Sequence, residues 1–114
     1  MPATDWRELV LWLLQRRQRV RVAGGSMLPL LPDGAEVLVD PHAYGDRFPT
    51  EGDVVVAYHP DRANHPIVKR IVAVLPNNTC ILIGDNATAS TDSRQFGALP
   101  FNQIVGKVTS RFSH

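Results

Sequence analysis

Lysine is nearly absent from this chain. Of the 12 basic side chains among 114 residues, ten are arginine and only Lys69 and Lys107 are lysine. Arginine keeps its proton at any useful pH, whereas a lysine stripped of water can lose it. A neutral amine acting as a base therefore has two candidates. Cysteine is rarer still. Cys80 stands by itself, which excludes an internal disulfide and fits a reducing compartment, so a cytoplasmic location is expected. Excess charge is lacking too: a net +1 argues against a dedicated nucleic-acid binder, and no nucleic-acid partner is expected. The longest apolar run near the start, residues 9–14, is far too short to span a bilayer. It also lacks the basic lead-in and small-residue cleavage site of a secretory signal. No repeats, linkers or low-complexity tracts divide the sequence. What remains, 44% apolar and 20% charged, is the composition of one globular domain with a modest core.

Two segments are distinguished, an appended helix in residues 1–16 and a core in residues 17–114. Residues 5–15 carry Trp6, Leu9, Val10, Leu13 and Leu14 at helical spacing, with Asp5 or Thr4 available as an N-cap. Leu11 and Trp12 widen the apolar sector beyond what simple docking requires. Its apolar face can pack on the domain, dock on a partner, or make a peripheral contact with a membrane interface. From residue 18 the period changes to two. Strands are expected over residues 18–23, 35–40, 54–58, 66–75, 79–83 and 104–112, separated by turns such as Pro32-Asp33-Gly34 and Pro76-Asn77-Asn78. Residues 41–53 and 59–65 read as connections, residues 84–94 as a polar segment, and residues 96–101 as irregular. The result is a mostly β, small barrel-like domain with one short N-terminal helix.

Two stretches invite a chemical reading. In Gly24-Gly25-Ser26-Met27-Leu28-Pro29, the glycines permit a sharp turn and Pro29 biases Leu28 toward extended geometry. That combination presents a nucleophile, or it is merely a polar turn. In residues 66–74, alternation places Ile67, Lys69, Ile71 and Ala73 on one face and Val68, Arg70, Val72 and Val74 on the other. A lysine aimed into an apolar face loses hydration, and its pKa falls from about 10.4 toward 7–8; a lysine at a strand end stays solvated instead. Lys107 sits near the chain end, where solvation is the simpler reading. Paired with Ser26, a neutral Lys69 could take the hydroxyl proton and later deliver it to a leaving amine. The Ser26 backbone amide is the natural donor to the oxyanion. The four histidines, His42, His59, His65 and His114, are irregularly spaced and read as surface residues rather than metal ligands. No metal or other cofactor is expected.

Three blocks resemble the type I signal peptidase family in the right order. Gly25-Ser26-Met27-Leu28-Pro29 looks like its nucleophile box, and Gly52-Asp53-Val54-Val55-Val56 followed by Lys69-Arg70-Ile71 looks like its lysine region. Gly84-Asp85-Asn86-Ala87-Thr88-Ala89-Ser90-Thr91-Asp92-Ser93-Arg94 looks like its last conserved box. The resemblance implies the LexA/signal-peptidase catalytic fold and a serine endopeptidase with Ser26 as nucleophile and Lys69 as general base. Ser90 would orient the lysine, and Asp92 and Arg94 would form a supporting ion pair. Substrate would lie extended beside Val20, Val22, Ala23, Ile67 and Val68, with small pockets reading Ala-like residues. Gly24 stands where some members carry a serine that helps hold the oxyanion. Only fourteen residues separate Lys69 from Gly84, leaving no room for the family's usual inserted β-domain. This short form is similar to the nickel-type superoxide dismutase maturation proteases, notably in residues 37–44, 53–60 and 106–112. That similarity implies removal of a short N-terminal leader from the dismutase precursor, which would be the partner protein. Other readings are signal-peptidase-like processing of another precursor, a LexA-type self-cleaving domain, or a non-catalytic β-barrel binding module.

Overall fold

Val54, Val55, Val56 and Ala57 are buried on both faces of one strand, and the other elements are arranged around them. A computed structural model describes residues 1–45, 47–60, 62–86 and 96–112, with the backbone alone for residues 62–65. Seven strands form one antiparallel sheet: β1 (Gln18–Arg21), β2 (Glu36–Asp40), β3 (Val54–His59), β4 (Arg62–Leu75), β5 (Thr79–Ile83), β6 (Leu99–Pro100) and β7 (Ile104–Arg111). They lie in the order β1-β2-β7-β3-β4-β5-β6.

The alternation of β-branched residues sorts the core into two clusters on opposite faces. Val54, Val56 and Val68 join Val37, Val39 and Val108 on one face, closed over by Val22, Met27 and Leu31. Val55, Ala57 and Ile71 join Cys80, Leu82 and Leu99 on the other. Burial pushes the Cys80 thiol up to about 11, so at neutral pH it behaves as a small apolar side chain rather than a nucleophile. Among the described residues β1 has only β2 as a strand neighbour, yet it faces β4 across a cleft described below. A flat sheet would hold those strands four places apart, so the sheet curls, as the barrel-like expectation required.

Most strand boundaries agree with the periodicity, and three departures have physical causes. β4 starts at Arg62 rather than at residue 66, because pairing with β3 (Tyr58↔Pro66, His59↔Arg62) carries polar residues into the ladder. β6 falls in the stretch expected to be irregular; it is only two residues long, and Leu99 is fully buried beneath it. β1 ends at Arg21, and beyond it the chain is held by Val22 and Gly34 through two backbone bonds of 2.7 and 2.8 Å. The 41–53 connection is fixed by the Asp53 carboxylate, which accepts from the Tyr44 hydroxyl at 2.6 Å and the Thr50 amide at 3.2 Å. Burial, with that hydrogen bond, holds the Tyr44 phenol above its usual range.

The helix departs most from its pattern. α1 (Trp6–Leu13) is capped by Asp5, whose side chain accepts from the Glu8 amide. Yet the side it turns to the sheet is the Glu8 side. Glu8 accepts from Thr109, contacts the Ser110 hydroxyl at 3.1 Å and pairs with Arg17 at 3.1 Å. Trp12 meets Phe112 edge-on, with the Arg19 guanidinium 5.3 Å from the Trp12 ring centre. Trp6, Leu13 and Leu14, from the expected apolar face, stay exposed.

Candidate active site

Lys69 is the buried cation of the molecule's described residues. It is 4% exposed, and its position in the sheet explains why. On β4 it alternates with Ile67 and Ile71, which pack in the second core cluster, and it pairs in register with the fully buried Val55. Aliphatic side chains therefore keep water from it on those sides. Lys107 has the opposite surroundings: 44% exposed, with its amine 3.6 Å from Asp53. Of the two lysines, only Lys69 is buried.

A cleft of about 260 Å³ brings Ser26 and Lys69 into one lining. Its walls are Val20, Arg21, Val22 and Ala23 on one side and Pro66, Ile67 and Val68 on the other. All five residues expected along the substrate path are there, together with Arg21 and Pro66 from the same two stretches. Both walls are strand edges. Among the described residues β1 pairs with β2 alone, and β5 pairs with β4 only from Arg70 onward, so no described strand lies on the outer side of residues 66–68. A recess of about 320 Å³ lined by Gln18, Val56, Tyr58 and Val105 adjoins the cleft, sharing Val20 and Pro66 with it. A larger hollow of about 720 Å³, beside the 41–49 loop, shares no lining residue with this cleft.

Ser26 sits in a compact turn. The Leu28 amide donates to Gly25 and the Leu31 amide to Met27, so the chain coils directly after the serine while Met27 and Leu31 anchor in the core. Gly24 has φ +83° and open space around a would-be Cβ. Backbone conformation rather than crowding favours glycine there, and a serine at that position would be strained. The Asp33 carboxylate accepts from the Gly24 amide at 2.8 Å and fixes the turn from below.

In sequence, Gly84-Asp85-Asn86 is part of a motif that assigns these three residues no role. The structure gives them one. The Asn86 amide donates to the Ser26 carbonyl at 2.7 Å, and its side-chain NH2 donates to the Gly25 carbonyl at 3.0 Å. Asp85 holds Arg70, the neighbour of Lys69, through two bonds of 2.9 and 3.0 Å. That hydrogen bonding keeps the guanidinium above its usual pKa. Two adjacent residues therefore tie the turn carrying Ser26 to the strand carrying Lys69. We expect Asn86→Ala to lower kcat about tenfold through loss of one such hydrogen bond, with little change in KM. Steady-state kinetics on a peptide substrate would check this. Ser90, Asp92 and Arg94 lie outside the described residues. Among the described residues no group of three His, Cys, Asp or Glu side chains could hold a metal ion.

The family model for signal peptidase, peptidase S26, matches residues 9–81 and 73–113. The chain belongs to the peptidase S26 family. S26 membership makes it a hydrolase of the serine peptidase class. It is 33% identical to mitochondrial inner membrane protease subunit 1 of Schizosaccharomyces pombe, covering 78% of this chain and 69% of that protein. It is 30% identical to mitochondrial ATP-independent inner membrane protease subunit 1b of Arabidopsis thaliana, over 77% of this chain and 65% of the relative. A shorter match, 49% identity over 39 residues, joins 34% of the chain to 20% of signal peptidase IB of Staphylococcus aureus. The chain thus spans about two thirds of the length of the first two S26 relatives. These relatives overturn the cytoplasmic expectation: their names place them at an inner membrane, and the similarity points to a membrane setting. The error was physical. A lone cysteine and a lack of long apolar runs report on disulfides and spanning segments, not on whether a protein works at a membrane. Among the described residues no helix is long and apolar enough to cross one.

Proposed function

We propose that this S26 protein is a serine endopeptidase in which Ser26 and Lys69 act as a dyad on an extended peptide. The observation that carries the reading is the shared cleft, where a nucleophile on a tight turn and a 4%-exposed amine lie between two strand edges. A peptide entering as an added strand would satisfy both edges through its backbone and offer small side chains to Val20, Val22, Ala23, Ile67 and Val68. The Ser26 hydroxyl attacks the scissile carbonyl as the Lys69 amine takes its proton. The Ser26 amide donates to the oxyanion. The protonated amine then delivers that proton to the departing amine, leaving an acyl-enzyme. Water, activated by the same lysine, releases the new carboxylate. In the same proposal, Ser90 orients Lys69 and Asp92 pairs with Arg94, on the strength of the motif they occupy. No cofactor enters any step.

The proposed substrate is a precursor protein with a short N-terminal leader, that of a nickel-type superoxide dismutase. Its support is the subgroup similarity together with a chemical need. A chain extended by a leader has an amide where a metal requires a free α-amine. The decisive experiment incubates the pure protein with the dismutase precursor, and separately with a precursor bearing a signal peptide, and reads new N-termini by mass. Cleavage of the dismutase precursor by the wild type, and none by Ser26→Ala, is the expected result. Cutting of the signal-peptide precursor alone would remove the dismutase assignment and leave the dyad standing. Equal cutting by Ser26→Ala would remove the dyad. Cutting of neither precursor, with undiminished binding, would favour a non-catalytic binding module.

A further inference from the structure

The helix α1 is built the wrong way round for a domain-packing element. Its polar Glu8 faces the sheet and is hydrogen-bonded there, while Trp6 is 79% exposed, Leu13 75% and Leu14 64%. These three share one side by helical spacing, with half-buried Leu9 and Val10 beside them. Turning Glu8 inward and three large apolar groups outward costs stability unless something covers the outward face. Exposed Arg7 lies roughly 100° round the helix from Trp6, and exposed Arg16 follows the helix end; Asp5, at the opposite end, is engaged in the N-cap.

We propose that α1 is a docking element for an anionic lipid surface, lying flat with Trp6, Leu13 and Leu14 in the headgroup boundary and Arg7 and Arg16 against lipid phosphates. Charge complementarity selects this occupant. Two copies joined through this face would set one basic-flanked helix against another and offer Arg7 and Arg16 no acidic partner beyond the capping Asp5. Three side chains on an eight-residue helix also fall well short of the roughly 1,200 Å² that a stable dimer buries. A lipid surface needs no such area, because it accepts a tryptophan at its boundary and supplies the counter-charge. The helix is too short to span, so the contact is peripheral. The cleft wall begins at Val20, six residues after Leu14, which keeps it within about 20 Å of chain from the docked face.

The test is co-sedimentation of the whole protein with phosphatidylcholine vesicles, with and without phosphatidylglycerol, using wild type, Trp6→Ser/Leu13→Ser and Arg7→Gln/Arg16→Gln. The expected result is binding to the anionic vesicles, weakened by salt and reduced about tenfold or more by either double variant. Because all four side chains are exposed, circular dichroism and Tm should remain those of the wild type. Absence of binding at low salt would overturn the proposal, as would equal binding to neutral vesicles. A concentration-dependent dimer in sedimentation velocity that Trp6→Ser/Leu13→Ser abolishes would assign the face to a second copy instead.

Discussion

Lys69→Met is expected to abolish cleavage in a protein that still folds. The amine sits at 4% exposure between Ile67 and Ile71 and opposite Val55. Methionine offers similar length and no charge, so the pocket fills without a desolvation cost. Removing a member of a catalytic unit costs about ten-thousand-fold or more in kcat, far more than a change in stability does to the rate of a variant that remains folded. Loss of cleavage in a variant whose circular dichroism is that of the folded protein is a result a purely structural lysine would not produce. Lys69→Arg sharpens the test, because it fixes a charge that cannot be lost and offers no base at any pH. The wild-type rate should rise with pH as the ammonium gives way to the neutral amine. A rate independent of pH in single-turnover conditions, or a Lys69→Met variant that cuts normally, would leave Ser26 without its proposed partner.

How much of this could be read beforehand depends on whether the determining contacts are local. β3, β4, β5 and β7 are legible because valine and isoleucine are dense in them, as an unbroken valine run in β3, which is buried on both faces, and interleaved with other residues in the rest. Lys69 and the cleft walls Val20, Val22, Ala23, Ile67 and Val68 follow from the same alternation together with the motif resemblance. Which way α1 faces is not legible. Helical spacing identifies the Trp6–Leu13 stripe, but Glu8 turns inward because Thr109 and Ser110, a hundred residues on, supply its partners. β6 escapes because two residues carry no period; only the burial of Leu99 against Cys80 and Leu82 reveals it. Asn86 and Asp85 belong to a motif that was recognised, yet their work spans Gly25, Ser26 and Arg70, and no spacing rule connects those positions.

Gly106→Ala should be the most damaging single methyl in the protein. A Cβ on Gly106 would lie 2.5 Å from the Asp40 carbonyl oxygen, 2.8 Å from Val39 Cγ1 and 2.9 Å from the Asp40 carbonyl carbon. Two of those three atoms are backbone and cannot swing away. Gly106 faces Val56 on β3, and its neighbour Lys107 pairs with Asp40 at the end of the β2–β7 ladder, just past a register shift. The added methyl must therefore push β2 off β7. That movement disturbs Asp40, which accepts an ion pair from Arg17 at 3.5 Å, and loosens Val39 in the first core cluster. Overpacking of this kind costs about 3 kcal/mol, which lowers Tm by roughly 10–20 °C in a domain of this size. Thermal unfolding followed by circular dichroism measures it directly. Gly106 is not in the cleft lining, so the fraction that remains folded should cleave at close to the wild-type rate. A Tm unchanged by the substitution would mean that β2 and β7 stand farther apart at Asp40 than the close approach of Gly106 implies.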